Sequence, residues 1–275
     1  MRQVMIIAGK EMRDGMRNRW VLATTALLAA LALTLAFLGA APTGSVKVSA
    51  LAVTIVSLSS LTIFLVPLIA LLLSYDAIVG EVDRGTMALL LAYPVTRWQV
   101  VLGKFAGHLA ILGFATAVGY GVAGLAVQWT GAEEARAWLA FAAMIASSML
   151  LGAVFIAIGY FISALVSDRG SAGGVAIGVW LFFVLLYDMA LLGALVADHG
   201  QTVTAGVLNA LLLLNPADAY RLLNLTASPD VSGFAGVAGL GARTGLGPGV
   251  LIGALAAWVV APLAAATALF ARRQV

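Results

Sequence analysis

Six long runs of apolar residues, each free or nearly free of charge, dominate the pattern of the chain. A helix needs about 20 apolar residues to cross the ~30 Å hydrocarbon layer. No strand-like alternation of apolar and polar positions is present, and backbone groups in lipid must bond internally, so the runs predict transmembrane helices. They cover residues 20–41, 51–73, 105–129, 138–166, 174–197 and 250–271.

Shorter features lie between the fifth and sixth runs. Residues 207–214 form an apolar patch that is too short to cross a bilayer and is followed by Asn215 and Pro216. This pattern predicts an interfacial or re-entrant helix. Residues 216–225 are more polar and predict a second short helix, and the Gly-rich stretch that follows predicts an irregular loop. We interpret residues 198–248 as one outer, periplasmic loop with short interfacial helices.

Composition and charge place the chain, residues 1–275, in a membrane as a single all-α domain. Apolar residues make up 63% of it and charged residues 10%, whereas soluble domains are near half apolar and a quarter charged. Eleven of the fifteen lysines and arginines lie on the side that holds both termini, which predicts that both termini are cytoplasmic. The net charge of +3 is too small to indicate a nucleic-acid partner.

The first 19 residues predict an amphipathic helix ahead of the first span. Helical spacing places much of its apolar surface, which includes Val4 and Ile7, on one side. Lys10, Arg13 and Arg17 lie toward the other side. We expect this helix to lie along the inner leaflet with its cations near anionic headgroups. A compatible alternative is that these charges only orient the first span.

A charged segment at residues 76–104 interrupts the apolar pattern between the second and third spans. Gly85 loosens its backbone, and Pro94 ends a short apolar turn because proline disfavours helix at the residue before it. Thr96 then begins a new helix, since Thr96 and Gln99 have the spacing of a capping box. Further along, Lys104 lies where an interfacial anchor belongs.

The short turn within residues 76–104 carries both charges and leucines, which suits docking into a groove on another protein. The alternative, an ordinary polar loop, predicts fewer leucines. We predict that this cytoplasmic segment is a socket for a partner protein. Its candidate residues are Asp76, Glu81, Asp83, Arg84, Gly85, Thr86, Leu89, Leu90, Pro94 and Arg97.

The motifs of the chain resemble those of type-2 ABC transporter permeases. That family carries an E-x-x-x-G-T…L-L…P-[VI]-[ST]-R…G-K signature after its second span. The matching residues here are Glu81, Gly85-Thr86, Leu89-Leu90, Pro94, Arg97 and Gly103-Lys104. Lys10-Glu11 and Arg13-Asp14 are similar to the start of the family's amphipathic N-terminal helix, and Leu214-Asn215-Pro216 to the segment before its sixth span.

This resemblance implies a type-2 (ABCG-like) exporter fold in a bacterial inner membrane. It implies a homodimer of six-helix subunits and two copies of a cytoplasmic ATP-binding subunit, which would hold ATP and magnesium. The chain lacks the G-x-x-x-x-G-K-[ST] phosphate loop, so we expect no enzymatic activity and no cofactor in this chain. The candidate socket residues then become ATPase-coupling residues.

A closer resemblance, carried by residues 213–236, is to permeases that serve maturation of the copper enzyme nitrous oxide reductase. It implies a periplasmic copper-handling partner, with a copper chaperone beside it. The alternative function is export of a small molecule or amphiphile by the same family. A third hypothesis, a proton-driven secondary transporter, predicts more buried charge and internal repeats than the sequence contains.

The sequence offers no continuous set of metal ligands and no catalytic site. It has no Cys, two His and eight Met, although copper(I) prefers soft sulfur ligands, and Ser, His and Asp are too scattered for a hydrolase triad. Asp188 lies within the fifth span, where an ionisable residue is a functional candidate. The alternative for Asp188 is a structural acid paired near the outer surface.

Two further surfaces are predicted. The outer loop is longer than a connection between neighbouring helices requires, so we expect it to bind the periplasmic partner through Asp218, Tyr220 and Arg221. In the third span, Gly113, Ala117 and Gly121 recur every four positions. Small residues at this spacing permit close helix approach, which suits the expected homodimer.

Overall fold

The computed structural model describes residues 1–38, 50–129, 135–198, 204–227 and 245–273, and in these ranges all regular structure is helical. Long apolar helices form because backbone groups in lipid can be satisfied only within the segment itself. The helices are α1 Arg2–Met16, α2 Arg19–Leu38, α3 Ala50–Ser74, α4 Val79–Asp83, α5 Thr86–Leu91, α6 Arg97–Gln128, α7 Ala135–Leu165, α8 Arg169–Leu181, a π-helical segment Phe182–Leu186, α9 Tyr187–Asp198, α10 Ala205–Leu214, α11 Pro216–Ala227 and α12 Pro248–Arg272.

The prediction of six membrane-spanning helices is confirmed by length and composition. The spans are α2, α3, α6, α7, the continuous rod formed by α8, the π-helical segment and α9, and α12. The third and fifth spans begin earlier than predicted, at Arg97 and Arg169. The apolar runs could not show this, because each helix starts with an arginine and further polar residues that lie outside the run.

Helix α7 is the centre of the bundle. It packs against α3, α6, α11 and α12, and two of its large side chains, Phe155 and Tyr160, are fully buried. Gly152 and Gly159 let neighbours approach closely, because a Cβ at these positions would collide with Leu112 and Ser74, respectively. The fifth span and α12 are much less enclosed, so most of their apolar surface faces lipid or another subunit.

Helices α10 and α11 form a hairpin on the bundle, here called the outer hairpin. It turns at Asn215, where the predicted short helices meet. Asn215 Oδ1 accepts a hydrogen bond of 3.0 Å from the backbone N–H of Ala217, and Pro216 occupies the first position of α11, where its missing N–H costs nothing. The Gly-rich residues 228–244 and the start of the outer loop, 199–203, lie outside the described residues.

The three small residues predicted to form one stripe on the third span, Gly113, Ala117 and Gly121, do not share one face of α6. A Cβ on Gly113 would collide with the Met149 side chain of the same chain, whereas Ala117 is exposed and Gly121 has open space beside it. Four residues cover slightly more than one helical turn, so the stripe winds around α6. The interpretation of Gly113 as a dimer contact is therefore wrong, and the homodimer itself stays a prediction.

Candidate functional site

The segment after α3 is held against α7 by its own backbone. The N–H groups of Ile78 and Val79 both donate to Ser163 Oγ, at 3.0 Å each. All three residues are buried. First-turn N–H groups of a helix have no intrahelical partner, and the Ser163 hydroxyl supplies one for α4. The start of the charged segment at residues 76–104, here called the coupling segment, is thus fixed to the most enclosed span.

Gly85 makes the sharp turn between α4 and α5. Its φ of +71° lies in the left-handed region, which costs a side-chain-bearing residue energy but not glycine. Thr86 Oγ1 donates to the carbonyl of Glu81 at 3.2 Å across this turn. Met87, the second residue of α5, is fully buried and anchors the short helix.

A buried lysine joins three elements beneath the coupling segment. Lys104 Nζ of α6 donates to Glu81 Oε1 of α4 at 2.7 Å and to Glu11 Oε1 of α1 at 2.9 Å. The side chains of Lys104, Glu11 and Glu81 are 4%, 13% and 16% exposed. Low exposure strengthens such pairs and makes the loss of one partner costly. This lysine bridge ties the N-terminal helix to the coupling segment.

The protonation of Glu11 follows from this bridge. Burial by itself would raise the pKa of Glu11, but the Lys104 ammonium outweighs it, with help from Lys10, so the pKa lies below its usual value. Glu11 is therefore a carboxylate at neutral pH. The second oxygen of Glu81, Oε2, is buried without a hydrogen-bond partner in the described structure.

The lysine bridge corrects one prediction and adds a residue. Lys104 is 3% exposed, so it is a buried ion-pair residue and not an interfacial anchor. Glu11 was not predicted as a site residue. The sequence signal for it was the resemblance of Lys10-Glu11 to the start of the family's N-terminal helix, which did not say that Glu11 faces the bundle.

The polar contacts continue from Glu11 into the bundle. Glu11 Oε2 lies 3.8 Å from His108 Nε2, and His108 Nδ1 is 3.0 Å from the hydroxyl of Tyr160. His108 and Tyr160 are both buried. These contacts connect α1 and α6 to α7 about one helical turn deeper than the lysine bridge.

Two arginines tie helix ends together at the same end of the bundle as the lysine bridge. Arg169, at the start of α8, pairs with Asp76 at 3.0 Å, and its backbone N–H donates to Asp83 Oδ2 at 3.2 Å. Arg97 donates to the carbonyls of Phe270 and Arg273 at the end of α12, and its guanidinium lies 5.3 Å from the centre of the Phe270 ring. Sequence reasoning missed Arg169.

The start of α6 matches its prediction. The backbone N–H of Thr96 donates to Gln99 Oε1 at 3.0 Å, which is the reciprocal bond of a capping box. Pro94 and Tyr93 are exposed in the break between α5 and α6. The break therefore ends one helix on the bundle surface and starts the next span.

The predicted coupling residues separate into two layers. Asp76, Glu81 and Arg97 face the protein and hold its helices together, and Leu90 is half-buried. The other predicted residues are exposed, and Leu89 is 70% exposed. Tyr93, which was not among the predicted residues, is also 70% exposed. We call the exposed layer the coupling ridge, which consists of Asp83, Arg84, Gly85, Thr86, Leu89, Tyr93 and Pro94.

On the opposite side of the bundle, an arginine clamps the outer hairpin to the fifth span. Arg221 of α11 pairs with Asp188 of α9 at 2.8 Å and with Asp218 of its own helix at 2.7 Å. Asp188 is thus a paired acid, as the structural alternative for it predicted.

The π-helical segment contributes to the same clamp. A π-helix has i→i+5 hydrogen bonds, so its backbone pairing departs from the α pattern. The carbonyl of Phe183 in this segment accepts a hydrogen bond from Asn215 Nδ2 at 3.1 Å. Asn215 Nδ2 also lies 3.0 Å from Asp218 Oδ2. The turn of the outer hairpin is therefore hydrogen-bonded to the π-helical segment of the fifth span.

Tyr220 and Asp218 do not form the predicted partner surface. Tyr220 is fully buried and Asp218 is 3% exposed. Ser148 Oγ donates to the carbonyl of Met144 at 2.7 Å, so the Tyr220 hydroxyl, 3.0 Å away, donates to Ser148. The interpretation of these two side chains as contact residues is corrected to a structural role, because Tyr220 packs toward α7 and Asp218 bonds to Asn215 and Arg221. The outer loop as a partner surface stays a prediction.

A groove lined mainly by α7, with Leu223 and Asn224 of α11, has a volume of about 290 Å³. Its lining is apolar except for Ser147 and Asn224, whose side chains are hydrogen-bonded at 3.0 Å. Within the described ranges, no group of three or more His, Cys, Asp or Glu side chains is placed to hold a metal ion.

Comparisons with known proteins find similarity to ABC transporter permeases over nearly the whole chain. The family model described as "ABC-2 family transporter protein" matches residues 5–275. A "Probable ABC transporter permease protein NosY" from Stutzerimonas stutzeri is 47% identical over 275 residues, 99% of each chain. A protein of the same description from Pseudomonas aeruginosa is 48% identical over 274 residues, again 99% of each chain.

Proposed function

The chain belongs to the ABC-2 family of transporter permeases, and from this premise we propose that it transmits the work of a cytoplasmic ATPase to a process in the periplasm. A permease of this family is the membrane subunit of an ABC transporter. The proposed complex holds two permease chains and two ATP-binding subunits, with both termini of each permease in the cytoplasm. ATP and magnesium are bound by the ATPase, not by this chain.

The observation that carries this proposal is the construction of the coupling ridge. Its exposed leucine and tyrosine offer apolar contact area, and Asp83 and Arg84 offer charge of both signs. Beneath the ridge, Glu81 is ion-paired to α6, and Asp76 to α8. A rigid support under an exposed helix is what a docking surface needs if movement of the bound partner is to reach the spans.

We propose copper-site assembly of nitrous oxide reductase as the periplasmic process. The support is the likeness over nearly the full length to two proteins described as NosY. The outer loop, residues 198–248, would hold a periplasmic copper-handling partner, and a copper chaperone would work beside it. The outer hairpin is hydrogen-bonded to three spans, so a movement of those spans could be transmitted to the outer loop.

The copper content of nitrous oxide reductase tests this proposal. The variant Arg84→Ala with Leu89→Ala is produced in a denitrifying host that lacks its own permease, and the reductase is purified. We expect apo-reductase with normal amounts of polypeptide. Full copper loading, with the permease variant shown to have lost ATPase binding, would overturn the proposed process.

The alternative function, export of a small molecule or amphiphile, is favoured by the groove between α7 and α11. Its apolar lining with one polar pair, Ser147 and Asn224, suits a mostly apolar ligand with one polar group. Ser147→Leu would fill the groove and abolish export, while leaving copper loading unchanged. Loss of copper loading in this variant would argue against the alternative as a separate function.

A further inference from the structure

The contact between α1 and α6 fixes which sides of α1 point away from the protein. Glycines of α6 let the backbones approach. A Cβ on Gly103 would lie 2.7 Å from Ile7 Cβ, and one on Gly107 would lie 2.5 Å from Glu11 Cβ. Ile7 is buried and Glu11 largely so. The lysine bridge acts on the same side of the helix, so α1 cannot roll without breaking these contacts.

The sides of α1 that turn away from this contact carry two arginines, and a third follows its last residue. With 3.6 residues per turn, Arg2 and Arg13 fall roughly a third to half of a turn away from Ile7 and Glu11, and Arg17, the residue after α1, falls roughly a quarter to a third of a turn away. All three are exposed. None of them forms an ion pair within the described part of the chain, whereas Lys10 on the same helix pairs with Asp14 at 3.2 Å and Glu11 at 3.5 Å.

An apolar flank runs beside the arginines. It consists of methionines at helical spacing, of which Met1, Met5 and Met12 are 88%, 71% and 39% exposed. The first span begins immediately after α1, and Trp20 at its start is 49% exposed. Trp prefers the membrane interface. When the methionine flank enters the acyl region, the arginines lie at the level of the lipid phosphates.

We propose that Arg2, Arg13 and Arg17 form a binding surface for anionic phospholipid headgroups. Guanidinium groups match phosphate oxygens in geometry and charge. α1 also holds Glu11 against Lys104, which pairs with Glu81 beneath the coupling ridge. Lipid bound to the arginines would therefore stabilise these ion pairs by holding α1 in place. The proposal requires only that α1 lies at a membrane surface, so it does not depend on ATPase docking or on copper.

The absence of cysteine permits a direct test. The full-length chain with Met5→Cys carries a fluorophore and is placed in nanodiscs of phosphatidylcholine with a minor fraction of phosphatidylglycerol. Brominated acyl chains, which quench fluorescence, are placed either on phosphatidylglycerol or on an equal mole fraction of phosphatidylcholine. Phosphatidylglycerol should quench more strongly, with a local enrichment of about fivefold for each arginine that contacts it.

Two variants control this measurement. Arg13→Gln with Arg17→Gln should remove most of the lipid preference, and Arg13→Lys with Arg17→Lys should keep most of it, because lysine retains the charge. Equal quenching by the two lipids in the parent protein would overturn the proposal, as would no quenching by either. If the glutamine variant keeps its lipid preference but loses ATPase co-purification, the arginines bind protein and the proposal fails.

Discussion

At the scale of single residues, Lys104 decides whether α1, α4 and α6 stay together. It compensates two nearly buried carboxylates, those of Glu11 and Glu81. Lys104→Met keeps the length of the side chain but leaves both charges without their partner. Removing one member of a buried pair costs about 3–5 kcal/mol, and we expect a large drop in the thermal stability of the purified permease.

Lys10→Met is the matched control for Lys104→Met. Lys10 also contacts Glu11 and, in addition, Asp14, but its side chain is 60% exposed. Exposed pairs contribute about 0–1 kcal/mol because water screens them. Similar melting temperatures for the two variants would contradict the view that the lysine bridge is a buried structural network.

Several site residues could be predicted from sequence, and others could not, for physical reasons. The cap at Thr96 and the break at Pro94 follow from local chemistry, so their sequence signals sufficed. The inward orientation of Tyr220 depends on how α11 rotates against α7, which no local pattern specifies. Arg169 and Glu11 were missed because their partners are distant in sequence.

At the scale of elements, the packing of α1 on α6 depends on glycine. A methyl group at Gly107 would lie 2.5 Å from Glu11 Cβ and 3.1 Å from the carbonyl oxygen of Ala8. Gly107→Ala should therefore push α1 outward, at a cost of about 1–3 kcal/mol. Thermal unfolding of the purified chain would show the loss.

Gly9→Ala is the control for this packing. Gly9 lies on α1, and a Cβ there would meet nothing within 4 Å. Because alanine is favoured over glycine in helices by about 0.5–1 kcal/mol, this variant should be as stable as the parent or more so. A loss of stability equal to that of Gly107→Ala would show that α1 does not pack as described.

The outer hairpin offers a second test at this scale. Asp188→Asn and Arg221→Gln each break the clamp between α9 and α11, and the double variant removes both charges. If the pair interacts directly, the two changes are not additive, with a coupling energy of about 0.5–3 kcal/mol. Additive losses in thermal stability would mean that the 2.8 Å contact contributes nothing.

The elements themselves were largely predictable, because long apolar runs without strand-like alternation form helices in lipid. The short helices α10 and α11 were also predicted, since an apolar patch followed by Asn215 and Pro216 marks a helix end. The π-helical segment was not. Phe182–Leu186 is part of an uninterrupted apolar run, which gives no sign of a π-helix. The hydrogen bond that uses its backbone comes from Asn215, which is distant in sequence.

At the scale of the whole molecule, the central claim is that the coupling ridge receives the ATPase. The claim depends on the exposed side chains of Leu89 and Tyr93 and on neighbouring charges, with the ion pairs of Glu81 and Asp76 beneath them. Interface anchors of this kind cost about 2 kcal/mol or more when truncated. The prediction concerns binding, so it can be tested without knowing any transported species.

The affinity of the purified ATPase subunit for the permease in nanodiscs is the most direct test. Arg84→Ala with Leu89→Ala removes two ridge side chains, and Leu139→Ala removes a leucine that is 72% exposed on α7, far from the ridge. We predict that the ridge variant binds the ATPase about 30-fold more weakly, as expected for a loss near 2 kcal/mol, and that Leu139→Ala binds like the parent. Unchanged binding of the ridge variant, with its thermal stability intact, would contradict the claim.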